Sequence, residues 1–112
     1  MTREKMLKGI ISILITKELL VDGPLHGYAI EKKISEKLEG RMPPGMIYVI
    51  LKSLERKGCI RNEDSKSETG RAIKIYYITE KGKDFLINHK NQLKIMKKLI
   101  DDIIPHIENL NS

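Results

Sequence analysis

The side chains in this sequence that could do chemistry are mainly cations, and they gather in the middle of the chain. Lys52 and Arg56 are spaced by one helical turn, and Lys66, Arg71 and Lys74 follow soon after them. Lysine and arginine side chains bind phosphate groups and the edges of guanine bases. The sequence therefore indicates nucleic-acid binding more readily than catalysis.

The distribution of charge along the chain supports this interpretation. Residues 1–40 carry a net charge of +1, residues 41–98 carry +8 and residues 99–112 carry −3, for a total of +6. Positive charge concentrated in one region suits an anionic polymer bound by that region. A generally solvated lysine-rich surface is the alternative, and it explains the total better than the asymmetry.

Motifs of enzymes and of metal sites are not found. There is no glycine-rich phosphate loop, no nucleophile motif and no histidine paired with an acid at a useful spacing. His26, His89 and His106 lie far apart and have no cysteine pair near them. We therefore expect neither an enzyme nor a bound cofactor or metal. Cys59 is the only cysteine; we interpret it as a small buried side chain at the start of a strand, with a redox-sensing thiol as the alternative.

The longest apolar run, residues 9–16, is too short for a membrane span, which needs about 20 apolar residues. No small-residue cleavage site follows it, so it does not resemble a signal peptide. We expect it to be part of a buried helix, and we expect the protein to be cytoplasmic.

Hydrophobic periodicity and turn residues predict four helices and one β-hairpin. The first helix is predicted over 4–20, and the Asp-Gly-Pro of residues 22–24 ends it. The second helix is predicted to be capped by His26 and to run to Glu39. The third is predicted to follow Pro43 and Pro44 and to run to Lys57. Strands are predicted over 59–63 and 72–78, joined by a polar tip at 64–71, and Thr79 is predicted to cap the last helix. This order is that of a winged helix-turn-helix. We predict a mainly α fold with a small β-hairpin, in which residues 1–80 bind DNA and residues 81–112 form a dimerisation helix.

The third helix has two unlike faces. At 100° per residue, one face carries the apolar side chains Ile47, Ile50, Leu51 and Leu54. The opposite face carries Gly45, Val49, Lys52 and Arg56, and Tyr48 and Ser53 lie on its flanks. Cations and a methyl group on one face suit a recognition helix in a major groove. The alternative is an amphipathic helix whose outer face is simply solvated.

The last helix carries a heptad seam, which we define as Leu86, His89, Leu93, Met96, Ile100, Ile103 and Ile107. Their spacing alternates between three and four residues, as in a coiled coil. A second copy of the chain is the expected partner of the seam, and docking within the chain is the alternative. The apolar face of the first helix is wider than a surface helix needs, and this helix is predicted to contribute Leu7, Ile11 and Leu14 to the same interface. Pro105 is predicted to kink or end the helix near Ile104.

Three segments resemble the PadR family of transcriptional regulators. They are the Leu-His-Gly-Tyr-Ala-Ile of residues 25–30, the third-helix segment 45–60 with its Gly-Met-Ile-Tyr start and Leu-Glu-Arg-Lys-Gly-Cys-Ile end, and Gly70-Arg71 followed by residues 76–82. The resemblance implies a winged-helix dimer that binds operator DNA, usually as a repressor, and the single last helix is similar to the smaller subfamily. It also implies that a small apolar effector could bind near the dimer interface. Met46 departs from the pattern, since many members have Ser or Thr there, and the absence of tryptophan argues against a pocket that stacks ligands on that residue.

The function predicted from sequence is a sequence-specific regulator that binds a near-palindromic operator as a homodimer. A winged-helix module that docks on another protein is the alternative, and salt dependence of binding would separate the two. The residues predicted to bind DNA are Tyr28, Gly45, Met46, Tyr48, Val49, Lys52, Ser53, Arg56, Lys66, Arg71 and Lys74.

Overall fold

A computed structural model describes residues 3–110, and in that range the chain is mainly helical with a small three-stranded antiparallel sheet. The elements are α1 (Arg3–Asp22), β1 (Leu25–His26), α2 (Gly27–Lys37), α3 (Met46–Arg56), β2 (Ile60–Lys66), β3 (Ala72–Ile78) and α4 (Glu80–Leu110). This is the predicted fold class: a winged helix-turn-helix with a long C-terminal helix.

The core forms where the apolar stripes of α1, α2 and α3 meet above the sheet. Each stripe repeats every three or four residues, so its members share one helix face. The core contains Ile11, Ile15 and Leu19 of α1, Ile30 and Ile34 of α2, the predicted inner face of α3, and Ile60 and Tyr76 of the sheet. The prediction that Ile11 contacts a second chain is wrong, because its side chain is 0% exposed within its own chain.

The sheet has the order β1-β3-β2. β3 lies in the middle and pairs along its whole length with β2, from Ile60 opposite Ile78 to Lys66 opposite Ala72. β1 is only two residues long and pairs Leu25 with Tyr76. The sequence analysis missed β1, because two residues are too few to show an alternating pattern.

The wing, which we define as residues 60–78, is longer than predicted. β2 continues to Lys66 rather than ending at residue 63, so the turn is confined to residues 67–71. That turn is closed by the Ser67 amide, which donates to the Arg71 carbonyl at 2.8 Å. The extended part of β2 has only polar side chains, and pairing with β3 keeps it extended.

The predicted helix caps are confirmed. His26 Nδ1 accepts a hydrogen bond from the Ala29 amide at 3.2 Å, and the Thr79 hydroxyl accepts one from the Gly82 amide at 3.1 Å. α3 begins at Met46, after the two prolines, and its N-cap is Gly45 with φ at 78°. That left-handed backbone favours glycine, so a side chain at position 45 would be strained.

α4 continues through Pro105 to Leu110. Of the two outcomes predicted for Pro105, an end of the helix near Ile104 is wrong, and a kink there stays a prediction. Proline has no amide hydrogen, so the carbonyl of Asp101 loses its intrahelical donor. Asp101 is exposed, so water can supply the missing hydrogen bond.

Cys59 is buried, with 4% exposure, as predicted for a small apolar residue. Within residues 3–110, no helix has the length and hydropathy to span a bilayer.

Candidate DNA-binding surface

The outer face of α3 is available to a ligand. Val49, Lys52 and Arg56 are exposed, while the opposite face is buried as predicted. Gly45 is also exposed, and Ser53 is partly buried. The prediction that Met46 contacts DNA is corrected by the structure. Its side chain is 6% exposed and packs into the core, because the first turn of α3 directs it inward. The Met46 side chain therefore cannot contact DNA in this conformation.

A hollow of about 550 Å³ lies between the start of α2, the start of α3 and the wing. Tyr28 and Tyr48 both contribute to its lining, and both are exposed. Tyr28 stacks on His26 with their ring centroids 6.3 Å apart. The remaining lining residues are His26, Gly27, Arg71, Ala72, Ile73, Lys74 and Tyr76.

A second hollow of about 400 Å³ lies between α3 and the wing and is lined by Lys52 and Arg56. It shares Tyr48, Lys74 and Tyr76 with the first. We call the two together the basic depression. The predicted residues from α2, α3 and β3 are thus brought to one side of the molecule. Lys66 lines neither hollow and lies at the end of β2, opposite Ala72.

The cations of this region differ in whether their charge is already paired. Among the side chains that the structure describes, Lys52, Arg56, Lys66 and Arg71 have no ion pair. Lys74 differs, because its Nζ lies 3.2 Å from Asp64 Oδ1. Unpaired cations on one side leave their full charge for an anionic ligand, whereas Lys74 must first leave its partner.

The sheet beneath the depression is held by polar contacts. The Asn62 amide on β2 donates to the Glu55 carboxylate on α3, so the wing is attached to α3 by a side-chain hydrogen bond. Arg61 lies over the ring of Tyr77, 4.2 Å from its centroid, and pairs with Glu63. The sequence analysis missed these contacts, because nothing in the spacing of residues 55 and 62 indicates that they meet across a turn.

The tyrosines of β3 stay protonated at neutral pH. Burial raises the pKa of Tyr76, and the nearby Glu55 carboxylate adds to the rise. A hydrogen bond to Glu63 raises the pKa of Tyr77, and the Arg61 guanidinium lowers the pKa of Glu63. Both phenols therefore stay uncharged, and Tyr76, which lines the depression, adds no negative charge to it.

The seam of α4 forms a second, apolar surface. In its first part, Leu86, His89 and Leu93 are partly buried, and His89 and Leu93 line a groove with residues of α1. Its later part, Met96, Ile100, Ile103 and Ile107, is exposed. On α1, Leu7 and Leu14 pack partly against the core. An apolar groove of about 240 Å³ between α1 and α4 is lined by Met6, Gly9, Ile10, Ile13, His89, Gln92, Leu93 and Met96.

No group of three or more histidine, cysteine or acidic side chains in the described part of the chain is arranged to hold a metal ion.

Comparison with known proteins decides the family. The model of the Transcriptional regulator PadR-like family matches residues 18–88, which is more than half of the chain. The chain belongs to this family. The match begins in α1 and ends in α4, so it covers α2, α3 and the wing.

Solved structures agree with the assignment. A Thermoplasma acidophilum protein classed as a transcriptional regulator is 39% identical, with a TM-score of 0.81 over 90% of this PadR-like chain and 96% of that one. A PadR family transcription regulator from Clostridium difficile is 32% identical, with a TM-score of 0.69 over 84% of this chain and 97% of that one. A Clostridium thermocellum regulator at 24% identity and a TM-score of 0.73 shares the fold.

A curated relative is longer. An uncharacterised 37.1 kDa protein in a transposon of Streptomyces fradiae is 29% identical over 96 residues. The PadR-like chain covers 27% of that protein's length, and 81% of the chain takes part in the match.

Proposed function

We propose that this PadR-like chain is a sequence-specific DNA-binding regulator that works as a homodimer. The observation that carries the proposal is the set of four unpaired cations, Lys52, Arg56, Lys66 and Arg71, on α3 and the adjoining wing. DNA presents a dense row of phosphate charges, and binding releases the counterions around them. A surface with unpaired cations on two neighbouring elements suits such a ligand.

In this proposal α3 lies in a major groove. Lys52 and Arg56 contact bases or phosphates, Val49 contacts a thymine methyl group, and Ser53 donates a hydrogen bond at the edge of the contact. Gly45 lets the backbone at the start of α3 approach the DNA closely. The hydroxyls of Tyr28 and Tyr48 donate to phosphates beside the first hollow. Lys66 and Arg71 hold the DNA backbone next to the wing, or enter the minor groove.

The exposed half of the seam is the proposed dimer interface. Isoleucines at heptad spacing on a helix are expected to pack against the same residues of a second copy. Residues 81–112 then form the dimerisation part and residues 1–80 the DNA-binding part, to which α1 adds an edge of the interface. Two α3 helices about 34 Å apart would reach successive major grooves of a near-palindromic operator.

Repression follows from the same arrangement, because a dimer bound at an operator blocks access to that DNA. The apolar groove between α1 and α4 is the proposed place for a small apolar effector, since a ligand there contacts both helices near the interface. An effector that favours a different placement of α4 would weaken operator binding. Such a regulator works in the cytoplasm, where the DNA is.

The test is a titration of the purified protein against DNA from its own upstream region and against random DNA, at two salt concentrations. We expect tight, selective binding that weakens by orders of magnitude as salt rises. A variant with Lys52→Gln and Arg56→Gln should lose it. The matched control is Lys98→Gln, which removes an exposed cation from the side of α4 opposite the seam.

Equal binding to both DNAs would contradict sequence-specific regulation and would favour a non-specific architectural role. Absence of binding to either DNA would favour the interaction-module alternative, in which the winged helix docks on another protein.

A further inference from the structure

The turn after α3 and the start of α4 are joined by hydrogen bonds that the amide and the hydroxyl of Thr79 make. The Thr79 amide donates to the Cys59 carbonyl at 3.1 Å, and the Thr79 hydroxyl donates to the Gly58 carbonyl at 2.6 Å. The same hydroxyl accepts the Gly82 amide hydrogen at 3.1 Å. We call Gly58, Cys59, Thr79 and Gly82 the junction.

Gly82 sets how closely α4 approaches this turn. It is buried, and a methyl group added at its Cα would lie 2.2 Å from the Cys59 carbonyl oxygen and 2.8 Å from Ile78 Cγ1. Atoms do not approach so closely without a shift, and the nearer of the two belongs to the backbone, which cannot rotate away. Any larger residue at position 82 must therefore displace α4 from the turn.

The other side of the junction is fixed to α3. The Gly58 amide donates to the Glu55 carbonyl and the Cys59 amide to the Leu54 carbonyl, each at 2.9 Å. These bonds continue directly from the last turn of α3. The start of α4 is thus held to the turn that ends α3 by hydrogen bonds on both sides of the junction.

We propose that Gly82 and Thr79 are positioning residues that set the distance between the two recognition helices of the dimer, and hence the half-site spacing that the protein selects. The inference rests on the proposed function, because it needs a dimer held by α4. A helix of 31 residues is about 46 Å long, so a tilt of about 5° at the junction moves its far end by about 4 Å. One base pair of DNA rises about 3.4 Å, so a small tilt is enough to change the preferred spacing.

The first measurement is the binding of wild type and Gly82→Ala to operators whose half-sites are separated by a graded series of spacings. We expect Gly82→Ala to bind the wild-type spacing at least about 10-fold more weakly and to have a shifted or broader optimum. Base preference within each half-site and the salt dependence should stay as in wild type, since the DNA-contacting residues are unchanged. Asn88→Ala is the matched control, because Asn88 is a neutral, exposed residue of the same helix.

The second measurement needs no DNA. Spin labels are attached at Lys57→Cys, at the end of α3, in a Cys59→Ala background, and the distance between the two protomers is measured with and without Gly82→Ala. We expect the distance to change by a few ångströms, or its distribution to widen. Thr79→Val, which removes the hydroxyl and keeps the shape, should widen the distribution without the clash.

A folded, dimeric Gly82→Ala protein with the wild-type spacing optimum and label distance would overturn the proposal. If Gly82→Ala does not yield a folded dimer, Thr79→Val decides by the same two measurements, and wild-type behaviour would overturn the proposal. Failure of the proposed function is recognised separately: wild type would not distinguish operator from random DNA, while the label distances would still report on the junction.

Discussion

Lys52 shows how a single residue connects the sequence to function. It is exposed on α3, lines the second hollow and has no ion pair among the described side chains. Replacement by glutamine keeps most of its length and removes its charge. If Lys52 contacts a base, Lys52→Gln should remove about 1–3 kcal/mol of the binding free energy that discriminates between bases at one operator position.

If Lys52 contacts a phosphate instead, Lys52→Gln should weaken binding to all sequences and lower the slope of log K against log salt by about one. Titrations against a set of single-base operator variants at several salt concentrations distinguish the two roles. Unchanged affinity and base preference would remove Lys52 from the interface.

Asp22 predicts a pH dependence of stability. The hydrogen bond from the Lys33 ammonium, whose nitrogen lies 3.2 Å from the carboxylate, holds the pKa of Asp22 below its ordinary value. A lowered pKa in the folded state means that the stabilising effect is present above the ordinary pKa of 3.8 and is lost as pH falls through the lowered value.

Asp22→Asn should therefore melt at a lower temperature than wild type near neutral pH, and the difference should close as pH falls below 3.8 and through the lowered pKa of Asp22. Thermal melting of both proteins across this range is the measurement. A gap that is independent of pH would mean that the carboxylate charge contributes nothing.

Met46 and Ile11 show the limit of residue-scale prediction. Both were predicted to contact a partner, Met46 the DNA and Ile11 a second chain, and both side chains are buried. The faces of their helices were otherwise assigned correctly in outline. Met46 lies next to the predicted inner face, at the first turn of α3, where a helical wheel does not say how far the core extends. Ile11 belongs to an apolar stripe too wide for one neighbour, and the sequence does not say which part of the stripe its own core covers.

At the scale of elements, the wing is predicted to contribute charge rather than base reading. Lys66 and Arg71 flank the turn and have no acidic partner in the described part of the chain, while Lys74 is paired with Asp64. The double variant Lys66→Gln and Arg71→Gln should lower the salt slope by about two and weaken all sequences alike. Lys74→Gln should change the slope less, because its charge is already offset. A loss of base preference in the double variant would contradict this role.

The elements themselves were largely predictable. Strong hydrophobic periodicity predicted α1, α3 and α4, and a run of β-branched and aromatic residues predicted β3. The sequence did not indicate β1 or the outer half of β2, because both depend on pairing with β3 rather than on their own side chains. The junction was equally hidden, since Thr79 and Gly82 contact residues about 20 positions earlier in the chain. Thr79 was expected as a cap, and its second role requires the tertiary structure.

At the scale of the whole molecule, the exposed half of the seam predicts how the chain assembles. Ile100 and Ile103 are about half exposed, and since fully burying an exposed isoleucine contributes about 1.5–3 kcal/mol, each would contribute about half of that. Ile100→Glu places a charge there in both copies. We expect the dimer dissociation constant to rise by about 100-fold or more, with the helical content of each chain retained.

Sedimentation across a range of concentrations, with circular dichroism on the same samples, is the measurement. Lys98→Glu introduces the same residue away from the seam and should leave the dimer intact. A dimer that tolerates Ile100→Glu would place the interface elsewhere.

The position of Cys59 has a consequence for observing the molecule at work. Its thiol is buried, and its carbonyl holds the start of α4 in place. A thiol reagent can react only when this part of the chain opens, because a buried sulfur is shielded from solvent. Since the chain has one cysteine, its rate of alkylation reports how often the structure around Cys59 opens. Binding of DNA or of an effector can thus be followed as a change in that rate, with no cysteine introduced into the protein.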